Sequence, residues 1–280
     1  MLRTMLTATN TLNQIQLQID TISNNIANIG TNGYKAKEAR FSEMLYQEYH
    51  NTRKDEQSPR LTPQGIRYGV GAKISQIQTN NAQGTLQTTD RPLDFAFKNA
   101  RQYFNILMPD ENGDMNVVYT RKGDFYATPM NNGQMMLVNA DGYAVADIDG
   151  NPIVFDEEVS SFSLENGGRL VVNLEDGTQQ AFLLGVTEIH LPQLMMKISD
   201  EYIDVPDNLN ELGYELNDVL TDMQGNARQN IGLENYQLEL SNVNMAKEMT
   251  QLIQAQKSYQ FNARAITIAD QMLGLINGIR

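Results

Sequence analysis

The sequence predicts an α+β fold: long N- and C-terminal helices that pair as a coiled-coil-like stalk, with a β-rich middle domain of hairpins and meanders. Three observations carry this prediction. Apolar side chains recur in heptad steps at both chain ends, Asn-Gly and Asp-Gly pairs punctuate the middle, and short alternating or β-branched runs lie between those pairs.

The first seam consists of Met5, Ala8, Leu12, Ile15, Ile19, Ile22, Ile26 and Ile29. It predicts a helix from about residue 2 to 28, ending at Ile29-Gly30-Thr31-Asn32-Gly33, where glycine accepts left-handed backbone angles. Residues 1–33 are therefore read as one helical segment. Residues 34–75 read as a linker or extended excursion, because the pattern turns polar and Pro59 and Pro63 break any helix.

Residues 76–232 read as the β-rich domain. Its punctuation is Asn112-Gly113, Asn132-Gly133, Asp141-Gly142, Asp149-Gly150, Asn166-Gly167 and Asp176-Gly177, and its clearest strand candidates are Met115 to Arg121, Gln134 to Asn139 and Arg169 to Leu174. Residues 233–280 read as the second helix, expected to start between Leu233 and Ser241. Its seam is Met245, Met249, Leu252, Tyr259, Ala263, Ile266 and Leu273, with polar Gln256 and Asp270 at two core-like positions. A helix that is apolar at only two positions in seven cannot bury itself alone. The seams therefore need each other or copies on neighbouring molecules, which points to assembly rather than catalysis.

The 280 residues carry a formal net charge of -13, no Cys and no Trp. Missing thiols exclude disulfides and thiolate metal sites. Eighteen Asp or Glu lie between Asp141 and Asp222 against Arg169 and Lys197 alone, so a nucleic-acid partner is not expected. No apolar run reaches the roughly eighteen residues a membrane span requires, and membrane insertion is not expected either. Thr, Asn and Gln interrupt every candidate signal-peptide core near the start. His50 and His190, the two histidines, stand far apart and without cysteine company. The stretch Ala146–Asn151 lacks the ligand spacing of a calcium loop, and Gly69-Val70-Gly71-Ala72-Lys73 lacks that of a P-loop. No serine has a Gly-x-Ser-x-Gly setting. No catalytic residue, metal ligand or cofactor is expected, and the chain is read as a non-enzyme.

The run Asn24-Asn25-Ile26-Ala27-Asn28-Ile29-Gly30-Thr31-Asn32-Gly33-Tyr34-Lys35 resembles the signature that ends the first helix of bacterial flagellar rod and hook proteins. Further pieces follow in that family's order: Gln83-Gly84-Thr85-Leu86, Leu93-Asp94-Phe95-Ala96, Tyr119-Thr120-Arg121-Lys122-Gly123-Asp124-Phe125 and Gly142-Tyr143. Near the end, Ser241-Asn242-Val243-Asn244-Met245-Ala246-Lys247-Glu248-Met249 and Gln254-Ala255-Gln256-Lys257-Ser258-Tyr259 complete the resemblance. The length and the single modest insert look more like the distal-rod members than the longer hook members; a proximal-rod or hook subunit is the alternative within the family. One departure stands out: Phe97-Lys98-Asn99-Ala100-Arg101-Gln102-Tyr103-Phe104 keeps the aromatic pair but lacks the glycines the family carries there. Such a departure suits a divergent paralogue or a second distal-rod component.

The resemblance implies a structural subunit exported through the flagellum-specific apparatus without a cleaved signal, which stacks helically with copies of itself into a tubular drive shaft in the basal body, outside the cytoplasmic membrane. It implies other rod proteins, the hook and, where an outer membrane exists, ring proteins as neighbours. The reading from a different class is a secreted coiled-coil interaction module or adhesin.

Overall fold

The structure is a computed structural model that describes residues 2–43, 47–49, 66–68, 72–110, 113–130, 132–206, 208–209 and 211–278. Its chain divides into two compact units. The first comprises Met1–Ile26, Lys37–Gln78 and Met245–Arg280, and the second comprises Ala27–Ala36 and Thr79–Asn244.

In the first unit, helix α1 spans Leu2–Ala27. Ile15 and Ile22 of its predicted seam are buried, and Ile19 and Ile26 pack beside them. Two short strand pairs belong to this unit: Lys37–Glu43 with Ala72–Thr79, and Gln47–Tyr49 antiparallel to Ile66–Tyr68. The described parts of the expected linker are thus paired strands. Pro59, Pro63, His50 and Gly69–Gly71 lie outside the described residues.

The second unit is almost wholly β. Its large antiparallel sheet runs in the order Val154–Asp156, Gln134–Asn139, Ala144–Val145, Gln102–Pro109, Met115–Thr120, Tyr202–Asp204, Met196–Lys197. Phe125–Pro129 adds to Gln134–Asn139, and Val186–Ile189 links Gln102–Pro109 to Leu220–Asp222. A separate meander is formed by Val159–Glu165, Arg169–Leu174 and Gln179–Leu183. The runs singled out for β-branching send Val118, Leu137, Leu170 and Val172 into the main core, and their neighbours Tyr119, Val138 and Val171 are buried too, so these strands are covered on both faces. That core gathers Phe95, Phe97, Phe104, Ile106, Phe125, Leu137, Phe155, Leu170 and Leu184. A smaller core holds Tyr103, Tyr119, Ile189, Leu209, Val219 and Leu220 beneath the one-turn helix α2 (Leu216–Val219).

The punctuating glycines at 113, 133, 142, 150, 167 and 177 all have positive φ, whereas Tyr236 is the one non-glycine with positive φ among the described residues. The turns at 132–133, 141–142, 149–150 and 176–177 are therefore not type I′, which needs two such residues, and each is closed by a single left-handed glycine, whereas Gly167 and Gly168 are consecutive left-handed residues. The glycine-poor stretch 97–104 contains no left-handed residue. It passes from the strand Phe95–Phe97 to Gln102–Pro109 without needing glycine.

Two expectations need correction. The chain is mostly β, with 38% strand and 28% helix, its terminal helices flanking a β-rich domain, rather than the expected α+β fold. The coiled-coil-like stalk is not seen. Helix α3 (Met245–Gly278) buries Glu248, Ala255 and Ala269, while Met245, Met249 and Tyr259 of the proposed seam are exposed. Apolar residues are spread around α3 instead of lining one stripe, and among the described residues the apolar cluster it forms with α1 takes only Leu252 and Ala255 from α3, beside Ile15, Ile19, Ile22 and Ile26. The second helix also opens later than expected, at Met245. Leu233–Asn235 and Gln237–Glu239 are strands paired with Phe95–Phe97 and Leu86–Thr88.

Candidate functional site

The residues that carry the family signatures are brought together in two clusters, one in each unit. In the second unit the centre is Glu239, buried on the strand Gln237–Glu239. Its Oε1 accepts a hydrogen bond from Lys35 Nζ at 2.6 Å and from the Gly84 amide at 2.9 Å. Its Oε2 accepts from Arg121 Nε at 2.9 Å and also from Arg121 Nη2. The backbone carbonyl of Glu239 accepts from the Gly33 amide at 2.7 Å.

Remaining donors on the two cations are also used. Lys35 Nζ donates to Ala82 O at 2.9 Å, and Arg121 Nη1 donates to Asn99 O at 2.7 Å and Gln102 O at 2.6 Å. The Arg121 guanidinium lies over the Phe97 and Tyr103 rings at 5.4 and 5.6 Å from their centroids. Burial alone raises the Glu239 carboxyl, but Arg121, Lys35 and the hydrogen bonds outweigh it and hold the pKa below the usual carboxylate value. Burial pushes the Lys35 ammonium down, aided by Arg121 and opposed by Glu239.

Glycine makes this convergence sterically possible. A Cβ at Gly84 would sit 1.9 Å from Leu240 O, and one at Gly123 would sit 2.0 Å from Phe95 O. Beside the cluster, Asn242 reads three backbone groups. Its Oδ1 accepts from Ala36 N at 2.7 Å, and its Nδ2 donates to Asn80 O and Ala82 O at 2.8 Å each. Tyr34 is fully buried next to them in sequence.

In the first unit Asn25 plays the matching part. Its Oδ1 accepts from Lys37 N at 2.9 Å while its Nδ2 donates to Lys37 O at 2.8 Å, so one amide side chain completes both hydrogen-bonding groups of a residue leading into a strand. The same Nδ2 lies 3.2 Å from Glu248 Oε2 on α3. Lys247 next door pairs with Glu38 at 2.9 Å. Thr31 Oγ1 donates to Asn28 Oδ1 at 3.1 Å beyond the end of α1.

Sequence reasoning quoted Lys35 and Arg121 inside motifs without assigning them a task, and it passed over Glu239. A single Glu in a Gln-Leu-Glu-Leu run carries no signal that it meets partners 204 and 118 residues away. His190 is structural: its ring Nε2 lies 3.1 Å from Thr221 Oγ1. Asp147 closes a turn by accepting from the Asp149 and Asn151 amides at 2.9 Å each.

Three family descriptions match the chain along this frame: "Flagella basal body rod protein" over residues 5–35, "Flagellar hook protein FlgE/F/G D1 domain" over 99–172, and "Flagellar basal body rod FlgEFG protein C-terminal" over 235–279. The flagellar hook-basal body complex protein FlhP of Bacillus subtilis is 41% identical over the full length of both chains. The chain belongs to the flagellar basal-body rod and hook protein family. The flagellar basal-body rod protein FlgG of Caulobacter vibrioides is 32% identical, covering 95% of this chain and 94% of its own. FlgG of Bacillus subtilis is 30% identical, covering 98% and 97%. The Glu239 and Asn25 clusters thus join the first and last matched segments of a flagellar basal-body structural protein. No helix among the described residues is long and apolar enough to cross a membrane.

Proposed function

We propose that the chain is a distal-rod subunit that stacks helically with copies of itself into the tubular shaft carrying torque to the hook. The observation that supports this reading best is the apolar surface left open on the first unit. Ile15, Ile22 and Ala255 form its buried cluster, while Leu6, Leu17, Met249, Ile253, Phe261, Ile268, Met272 and Leu275 are exposed. Apolar surface of that extent is costly in an isolated molecule and useful between molecules, at about 25 cal/mol per Å² removed from water. Met5, Leu12, Ile19, Ile26, Leu252, Ala263, Ile266 and Leu273 belong to the same packing surface. Torque transmission then needs stiff contacts and no reacting group.

In this reading the subunit is exported without a cleaved signal, the terminal helices line the shaft, and the β unit forms its wall. Its neighbours are other rod proteins, the hook and, in cells with an outer membrane, ring proteins. Labelling the protein in purified basal bodies tests the assignment: signal between the inner shaft and the hook supports it, and signal along the external hook replaces it with a hook role.

A second reading follows from the two Bacillus subtilis relatives. Identity is 41% to FlhP and 30% to FlgG, so the chain serves beside a FlgG-type subunit rather than in its place. Cells that keep motility on deletion of this chain but lose it on deletion of the FlgG-type protein would refute the paired role.

A further inference from the structure

Arg228 is a buried cation outside the Glu239 cluster. It sits in the 3-10 turn Gly225–Asn230, where Nη1 donates to Met223 O at 3.2 Å and Nη2 donates to Gly168 O at 3.2 Å and Leu184 O at 3.1 Å. Its Nε is buried without a hydrogen-bond partner among the described residues. Among the described residues its hydrogen-bond partners are backbone carbonyls, and burial lowers its pKa. A buried charge without a counter-charge is costly, and a well-placed carboxylate offsets part of that cost. The Gly167-Gly168 turn makes room for the side chain: a Cβ at Gly168 would stand 3.3 Å from Arg228 Nη2.

Arg228 lines an open cavity of about 520 Å³ together with Arg169, Leu183, Ile231, Asn166 and Gln229. Arg169 is half exposed, with a loose 3.5 Å contact to Glu165, and Leu183 is exposed at 37%. Arg169 and Leu183 therefore face solvent at the rim of the cavity and the buried Arg228 and Ile231 lie at its base, in a unit whose sequence holds 9 Lys and Arg against 26 Asp and Glu.

The complementary pattern occurs on the same unit. Residues 211–218 are exposed throughout and include Leu212, Tyr214 and Leu216. The segment is not loose. Leu209 and Val219 are buried on either side, Leu212 N and Tyr214 N both donate to Leu209 O, and Glu215 and Asp218 cap each other's backbone. That leaves the Glu211 carboxylate beside an ordered row of apolar side chains.

We propose that the cavity receives residues 211–216 of a second copy of this chain, with Glu211 facing Arg169 and Arg228 and with Leu212 and Leu216 covering Leu183 and Ile231. The contact joins two different patches, so it propagates from copy to copy instead of closing a two-fold dimer. Contact of the acidic segment with itself would oppose Glu211 to Glu211 and is disfavoured. Leu183, Arg228, Ile231 and the whole acidic segment fall between the matched stretches 99–172 and 235–279, while Arg169 lies within the first of them. This keying of one copy into the next rests on the self-assembly proposed above.

The chain has no cysteine, so Leu183→Cys and Leu212→Cys can be introduced singly on a clean background. Both full-length variants are co-expressed in the flagellated host, basal bodies are purified, and thiols are oxidised. The expected product is a covalent dimer joining the two variants, at least about tenfold above that of either variant alone. Adding Glu211→Lys to the Leu212→Cys copy lowers the yield about tenfold, and Arg169→Glu in the other copy restores it. Incorporation without the mixed dimer, or equal dimers from single variants, overturns the keying and leaves self-assembly standing. Absence of the protein from basal bodies overturns both.

Discussion

The two units differ in how far each is completed by its own residues. The second unit closes two apolar cores and neutralises its buried Glu239 with two cations, whereas the first unit buries Ile15, Ile22 and Ala255 and leaves Phe261 79% exposed. Charge divides the same way. The first unit holds 12 Lys and Arg against 8 Asp and Glu, a balance of +4, and the second holds 9 against 26, a balance of -17. The contrast teaches that one region is stabilised from within while the other leaves apolar surface exposed, which the proposed assembly would cover. The acidic balance, moreover, is a property of the self-sufficient region alone.

The sharpest way to break the self-sufficient unit is Glu239→Gln. It keeps the shape but leaves Lys35 and Arg121 buried without a counter-charge, and denaturant unfolding should register a loss of about 3–5 kcal/mol. The effect depends on pH in a stated direction. Because the folded carboxyl titrates below its ordinary value of 4.5, its contribution is complete above that value and disappears as pH falls through the lower folded pKa. Melting temperatures of the native and Gln proteins should therefore stay apart from pH 7 to the ordinary carboxyl range and converge only in more acid solution. Next in size, Gly84→Ala drives a methyl into Leu240 O and should cost about 1–3 kcal/mol or more, read by the same unfolding curve.

In the first unit, Asn25→Ala removes the amide that completes both backbone groups of Lys37. A loss of about 1–3 kcal/mol is expected, visible as faster hydrogen exchange at the Lys37 amide with the second unit unchanged. Smallest in the monomer is Phe261→Asp, within about 0.5 kcal/mol because the ring is exposed. The same substitution should sharply reduce incorporation into basal bodies. Full incorporation of Phe261→Asp would remove the functional distinction between the two units.

Much of this arrangement was legible in the sequence, and the failures share a cause. α1 was readable because Met5 to Ile26 keeps one stripe, and the hairpins were readable because each Asn-Gly or Asp-Gly pair marks its turn locally. Residues 233–239 were misread as helix because Leu233, Tyr236, Leu238 and Leu240 carry no clean period, and their strand state depends on partners at 86–88 and 95–97. Tyr236, with φ of 56°, breaks the run between its two pairings. The coiled-coil pairing did not follow from one heptad on α3, because Met and Ile occupy several faces of that helix and the heptad Met245, Met249, Leu252 competes with others of similar apolar content. The Glu239 cluster was invisible because its members are brought together only by the completed fold.

Hydrogen exchange on the monomer and on the assembled basal body tests the central contrast most directly. The expected result is strong protection across 79–244 in both states, with residues 2–27 and 245–278 exchanging quickly in the monomer and becoming protected in the assembly. Strong protection of both terminal helices in the monomer would contradict the claim that sister subunits complete them.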